Sequence, residues 1–124
     1  MINVVAAVIL RNGKYLIAQK SAKKGGNWEF PGGKVEINEN LTCALIREIH
    51  EELGVKIRTY EVLDTIEIQT NGQSYRIHFI SAELIDDRFI LSEHQALKWV
   101  DIDGLLDAEM SSADLEFVKH IRGL

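Results

Sequence analysis

The sequence has little cysteine, little proline and no excess of positive charge. Its one cysteine, Cys43, has no partner for an intramolecular disulfide, which removes the usual mark of an oxidising compartment. One proline and nine glycines leave no material for a low-complexity linker or a collagen-like repeat. Basic residues number 14 against 19 acids, a net charge of -5. Sequence-independent binding to a nucleic-acid polymer needs a basic face, so that partner is excluded. The apolar run from Ile2 to Leu10 is interrupted by Asn3 and falls short of the about 20 residues of a bilayer span. No basic stretch precedes it, so it reads as a strand and not a leader. These absences place the protein in the cytoplasm, with no membrane partner. The 124 residues, 46% hydrophobic and 27% charged, suit one globular domain spanning 1–124, as a monomer or a homodimer. An acidic chain can still hold a polyphosphate if a divalent metal mediates the contact.

Hydrophobic patterning gives the elements. Val4–Leu10 and Tyr15–Gln19 flank Asn12-Gly13, the signature of a tight hairpin. Ser21–Asn27 is a polar loop with a basic pair, Lys23 and Lys24. Trp28–Phe30 is a short extended piece, and Pro31-Gly32-Gly33 breaks regular structure. Leu41, Leu45, Ile49 and Leu53 recur every four residues, which predicts a helix over 39–53. Asn38 is its expected N-cap and Gly54 its stop; Cys43 is expected as a small buried residue on it. A second hairpin pairs Val62–Thr70 with Ser74–Leu84 across Asn71-Gly72. Leu97–Val100 is a short strand. A last helix, capped by Ser111 or Ser112, is expected to present Leu115, Val118 and Ile121. The order is β-β-(β)-α-β-β-β-α, an α+β chain with a mixed sheet covered by helices on its faces.

The chemistry concentrates between Gly33 and Val55. Glu48, Glu51 and Glu52 are three and four residues apart and share an arc of about 100° on the predicted helix. That arc borders the apolar stripe, whereas a solvated acidic face points away from the core. Glu48 and Glu52 repel at i,i+4, and Glu51 and Glu52 oppose the helix macrodipole in its last turn. No lysine lies within the helix to relieve them, although Arg47 can reach Glu51. A hard divalent cation reverses the sign of these effects, because oxygen ligands are what Mg²⁺ selects.

Gly33, five residues, Glu39, seven residues, then Arg47-Glu48-Ile49-His50-Glu51-Glu52-Leu53-Gly54-Val55 matches in full the signature of the Nudix hydrolases. Seven fixed positions arise by chance in roughly one chain in a million. The chain resembles the MutT type of that family, most of all its CTP pyrophosphohydrolases, through Trp28–Glu36, Glu93–Trp99 and Ala113-Asp114. The resemblance implies an α/β/α sandwich with a mixed central sheet. It implies hydrolysis of a nucleoside triphosphate to monophosphate and pyrophosphate, by water attacking the β-phosphorus. It implies Mg²⁺, or Mn²⁺ in its place, held by Glu48 and Glu52 with Glu51 assisting and the Gly33 carbonyl completing the shell. Glu48 is the family's usual candidate for activating water, and Glu93 corresponds to a loop carboxylate that binds metal or acts as base in some members. Glu39 and Arg47 correspond to the pair tying the loop-helix unit together, with Gly54 closing the motif.

For the substrate, Lys20 at the end of the second strand is a candidate phosphate contact, beside the alternative of a solvated lysine. Trp28, Phe30 and Phe79 lie near the expected cleft, with core packing as the default for each and Phe30 the one carried forward as a base contact. Either Tyr75 or Arg76 is placed to touch the nucleotide, and Arg76 is carried forward. The likeness puts Asp114 where MutT-type enzymes read the base; the alternative is an ordinary first-turn acid of the last helix. The four histidines, at 50, 78, 94 and 120, show no metal-ligand spacing and read as surface or structural. The leading expectation is cleavage of (d)CTP or modified cytosine nucleotides in nucleotide-pool sanitation. An 8-oxo-dGTP diphosphatase is the alternative. A non-catalytic nucleotide-binding module ranks lower, because every signature glutamate is present.

Overall fold

The computed structural model describes residues 1–123. Seven strands form one mixed sheet: β1 (Ile2–Arg11), β2 (Lys14–Lys20), β3 (Trp28–Glu29), β4 (Gly32–Lys34), β5 (Ile57–Thr70), β6 (Gln73–Leu84) and β7 (His94–Val100). Helices α1 (Leu41–Leu53), α2 (Ile102–Asp107) and α3 (Ser112–Arg122) cover it. The sheet runs β3-β2-β1-β6-β5, with β4 added beside β1 and β7 beside β2. Among the described residues β1 and β6 are the one parallel strand pair, over Ile2–Ile9 against Tyr75–Ala82; the other strand pairs are antiparallel.

Strand β1 is the centre of the design. Its first half pairs with β4 through Val4–Ala6, and its last residues, Leu10 and Arg11, pair with β2. Between them the sheet divides, and the segment 28–34 crosses the division, with Ala7 N–H donating to the Pro31 carbonyl at 2.8 Å. Alternation along β1 then fills two cores. Val5, Ala7 and Ile9 face α1 with Leu45, Ile49 and Leu53. Ala6 and Val8 face Phe30, Phe79, Leu105 and Phe117 under α2 and α3. The rings of Phe79 and Phe117 stack at 4.3 Å, with Phe30 edge-on to both. Both Asn-Gly pairs turn as the patterning predicts: Asn12, Gly13, Asn71 and Gly72 all have φ between 52° and 77°, the left-handed pair that matches strand twist.

Five local expectations need correction. The N-cap of α1 is Asn40, not Asn38; its side chain accepts from Cys43 N–H at 2.7 Å. Asn38 instead takes a left-handed turn at φ 64°, which leaves Glu39 outside the helix and free to bind Arg47. Cys43 lies in that first turn and is exposed. Gly32–Lys34 rejoin the sheet, so the break ends at Pro31; a Cβ at Gly32 would overlap the Val5 carbonyl, and glycine alone permits that approach. In α3 the buried face is Ala113, Asp114, Phe117 and Val118, while Ile121 is exposed, because Phe117 and not Leu115 docks on Phe79. Strand β7 begins at His94 through a bulge opposite Gln19 and Lys20. Helix α2, six residues capped by Asp101, is too short to leave a periodic signal.

Candidate active site

Helix α1 packs Ala44, Leu45, Ile49 and Leu53 into the core, which leaves Glu48 and Glu52 at the seam between helix and sheet. Gly33, on β4, sits against this seam. A Cβ at Gly33 would overlap the Glu48 carboxylate, so the absent side chain makes the cradle in which that carboxylate rests. Alanine at this position must displace Glu48 or β4. We expect Gly33→Ala to lower kcat/KM roughly 10²-fold with the fold retained; turnover within threefold of wild type would show that Glu48 needs no such cradle.

Arg47 organises the rest. Its guanidinium donates to both oxygens of Glu39, at 2.8 and 2.9 Å, and to the Lys34 carbonyl at 3.0 Å. It also donates to Glu48 at 2.8 Å and Glu51 at 3.2 Å. Glu39 in turn accepts from Glu36 N–H at 3.0 Å. The planar fork of arginine suits this bidentate contact, and lysine would not replace it. Arg47's hydrogen bonds hold the Glu39 carboxyl down to about 2, with the Glu36 N–H adding to them.

Glu52 is in a different condition. Burial pushes its carboxyl up to about 8; His94 partly relieves it, while Glu29, Glu48 and Glu93 add repulsion. Its Oε1 is buried with no hydrogen-bond partner, a costly state for a polar atom. Burial likewise raises Glu48 against the pull of Arg47. Among the described residues no three carboxylate, imidazole or thiol groups already stand in a preformed metal cage, since Glu48 and Glu51 turn to Arg47. The donor set nonetheless fits a hard cation. It offers an orphaned carboxylate oxygen on Glu52, a second carboxylate on Glu48 one turn away, and the backbone of Gly33 beside it.

A cleft of about 370 Å³ opens over these groups, with Gly33, Glu52 and His94 in its lining, lysines 20, 24 and 34 and acids Glu29 and Glu93 around them. Glu51 is largely exposed, on the solvent side of Arg47. Glu93 is an exposed rim residue paired with Lys24 at 2.9 Å. An adjoining pocket of about 140 Å³ shares Glu29 and Gly33 and is walled by Phe30, Ile77, Ser111 and Asp114. Asp114 is only 6% exposed. It accepts from Phe30 N–H at 3.1 Å, and burial raises it to about 7 against that hydrogen bond. A separate depression of about 360 Å³ at the first hairpin turn, between Arg11, Lys14 and Trp99, contains no carboxylate.

The structure thus brings together Lys20, Gly33, Glu52 and Glu93 around one cleft, with Glu48 against Gly33 at its base, and Phe30 and Asp114 in the pocket beside it. Arg76 is not among them, which corrects that expectation. It pairs with Glu67 across the β5–β6 ladder at 2.7 Å. Its neighbour Ile77 faces the pocket, so alternation turns Arg76 to the other face of β6. Four residues of the cleft lining, Lys24, Lys34, Glu29 and His94, were not among the expected site residues. Glu29 lies on a two-residue strand and touches both pockets. His94, expected as surface or structural, is buried and bonded through Nε2 to Glu29 at 2.8 Å. Burial lowers the His94 pKa, but Glu29, Glu52 and Glu93 outweigh it and hold the imidazole above its ordinary value. The alternation of Glu29 between Trp28 and Phe30 was the available signal.

Comparison with known proteins bears on the family and the fold. The NUDIX domain family model matches residues 1–121. A CTP pyrophosphohydrolase of Escherichia coli is 36% identical over 126 residues, covering 100% of this chain and 93% of the relative. An 8-oxo-dGTP diphosphatase of Buchnera aphidicola is 34% identical over 105 residues, covering 83% of this chain and 79% of the relative. The solution structure of the E. coli ORF135 protein superposes with a TM-score of 0.85 at 35% identity, covering 100% of this chain and 90% of that one. With the complete signature folded around a cleft of carboxylates and lysines, the chain belongs to the Nudix hydrolase family.

Proposed function

We propose that this enzyme is a Mg²⁺-dependent nucleoside triphosphate pyrophosphohydrolase, a single domain over 1–124 that releases the monophosphate and pyrophosphate. The observation that carries the reading is the buried, unpartnered oxygen of Glu52 beside the Gly33–Glu48 cradle, beneath a rim of lysines. Nudix hydrolases use divalent metal ions, and here Glu48, Glu52 and the Gly33 carbonyl would hold the ion, with Glu51 assisting. When bound, such an ion neutralises phosphate charge and lowers the pKa of coordinated water.

The chain's own groups supply the rest. Lys20, 35% exposed and 3.7 Å from Glu29, is free to move to a phosphate oxygen at small cost. Lys34 lines the same cleft. Glu48 Oε2 faces Gly33 while Oε1 accepts from Arg47, so one oxygen stays available to take a proton from water. Glu93 is the second candidate for that proton and must first leave Lys24. The Phe30–Asp114 pocket receives the base. Asp114 accepts hydrogen bonds from an exocyclic amino group, so the reading favours (d)CTP and its modified forms, in nucleotide-pool sanitation. The 8-oxo-dGTP reading stands second, supported by the same acceptor and by the B. aphidicola relative.

A panel of canonical, 5-substituted and oxidised triphosphates with Mg²⁺, scored for pyrophosphate against phosphate, tests the proposal. Release of pyrophosphate with cytosine nucleotides leading is expected. Release of single phosphate would exclude the reaction.

A further inference from the structure

The cleft has a strap across its mouth. Segment 21–27 leaves β2, makes one 3₁₀ turn over Ala22–Lys24 and returns to β3 through Gly25 and Gly26. Both glycines have positive φ, 101° and 71°, with nothing within 4 Å of where a Cβ would sit. Its base is fixed: Gln19 Nε2 donates to the Gly26 carbonyl at 3.1 Å, and Lys20 N–H to the Asn27 carbonyl at 2.9 Å. Its tip crosses to the loop before β7 by the bond from Lys24 Nζ to Glu93 at 2.9 Å. Both side chains are more than half exposed. An exposed ion pair contributes little to stability and exchanges readily for a stronger partner. Lys24 and Glu93 line the cleft together with Lys20, Glu29, Glu52 and His94. A bound triphosphate therefore brings several negative charges to within reach of the ammonium group that now holds Glu93.

Resting on the pyrophosphohydrolase reading above, we propose that Lys24 is a substrate-binding residue, held by Glu93 in the free enzyme and transferred to a terminal phosphate when a nucleoside triphosphate enters. The exchange does two things at once. It closes segment 21–27 over the phosphates, and it releases the Glu93 carboxylate into the cleft, where that carboxylate is a candidate base. A nucleoside monophosphate, which lacks the outer phosphates, leaves the Lys24–Glu93 pair in place. The strap thus discriminates by phosphate count and not by base.

Steady-state kinetics and hydrogen exchange of residues 21–27 test this together. Lys24→Met is expected to raise KM for dCTP roughly tenfold with kcat changed less than about threefold, and Lys24→Arg to restore KM to within about twofold. In the free protein, Lys24→Met and Glu93→Gln should both speed exchange of the segment about twofold to fivefold, the range open to an exposed ion pair. Addition of dCTP carrying an imido bridge between the α- and β-phosphorus should restore protection in Glu93→Gln, whose Lys24 is free to hold phosphate, but not in Lys24→Met. dCMP should restore it in neither. An unchanged KM in Lys24→Met, or equal recovery of protection in the two variants, would overturn the proposal. Failure of wild type to hydrolyse any triphosphate would refute the underlying reading instead, whatever the exchange of the free protein shows.

Discussion

Glu52→Gln is expected to lower kcat/KM by roughly 10²-fold or more, by analogy with the loss of one electrostatic stabiliser, and to raise the melting temperature of the metal-free protein. The two effects share one cause. The Glu52 carboxyl is buried beside Glu29, Glu48 and Glu93, with Oε1 unpartnered, and is raised to about 8 from an ordinary value of 4.5. Between these values the folded state holds a proton that the unfolded state has lost. Stability supplied by the protonated form is complete below about pH 4.5 and declines as pH rises towards 8. Asp114, raised to about 7 from 3.8, contributes in the same direction over its lower window. Gln has no proton to lose. The melting temperatures of Glu52→Gln and wild type should therefore nearly coincide at pH 4.5 and diverge by roughly 3–8 °C above pH 8. Added divalent metal should stabilise wild type and not the variant. Near-normal turnover in folded Glu52→Gln would refute the metal assignment, and a lower melting temperature at pH 8 would refute the account of Glu52 as a carboxyl raised by burial and repulsion.

Asp114→Asn is expected to change base preference while leaving the fold intact. The side-chain carbonyl of Asn still accepts from Phe30 N–H, as Asp114 does at 3.1 Å, whereas Asp114→Ala leaves that buried donor unpaired at a cost of ~1–3 kcal/mol. The two variants thus separate reading from folding. An ionised Asp only accepts hydrogen bonds, a protonated one donates as well, and Asn does both. With the carboxyl raised by burial to about 7, preference for an amino-bearing base should rise as pH passes from 6 to 8 in wild type and stay flat in Asp114→Asn. For the preferred nucleotide, kcat/KM should fall roughly 10- to 100-fold in either variant, corresponding to ~1–3 kcal/mol. Poor substrates should change little. An equal loss across all bases would make Asp114 a structural residue of α3 alone.

Much of this was legible because each local signal had one structural solution. The two Asn-Gly turns fixed both hairpins. Leucine and isoleucine every fourth residue set the buried face of α1, and with it the seam position of Glu48 and Glu52. Elsewhere tertiary contacts override local preference. Asn38 resembles a cap, but Glu39 is needed outside the helix for Arg47, so the cap moves to Asn40. Alternation along β6 alone could not say which face meets the cleft, and Arg76 went to Glu67. The division of β1 between β4 and β2 leaves no mark on the sequence, yet it creates the two pockets that Glu29 joins. His94 carries no spacing signal, because its partners lie 42 and 65 residues upstream, at Glu52 and Glu29.

The most direct test of the central claim is hydrolysis of dCTP in ¹⁸O-labelled water, with both products read by mass spectrometry. If the cleft presents water to the β-phosphorus, the label appears in pyrophosphate and the monophosphate stays unlabelled. Label in the monophosphate, or release of single phosphate, would contradict the assignment of this site.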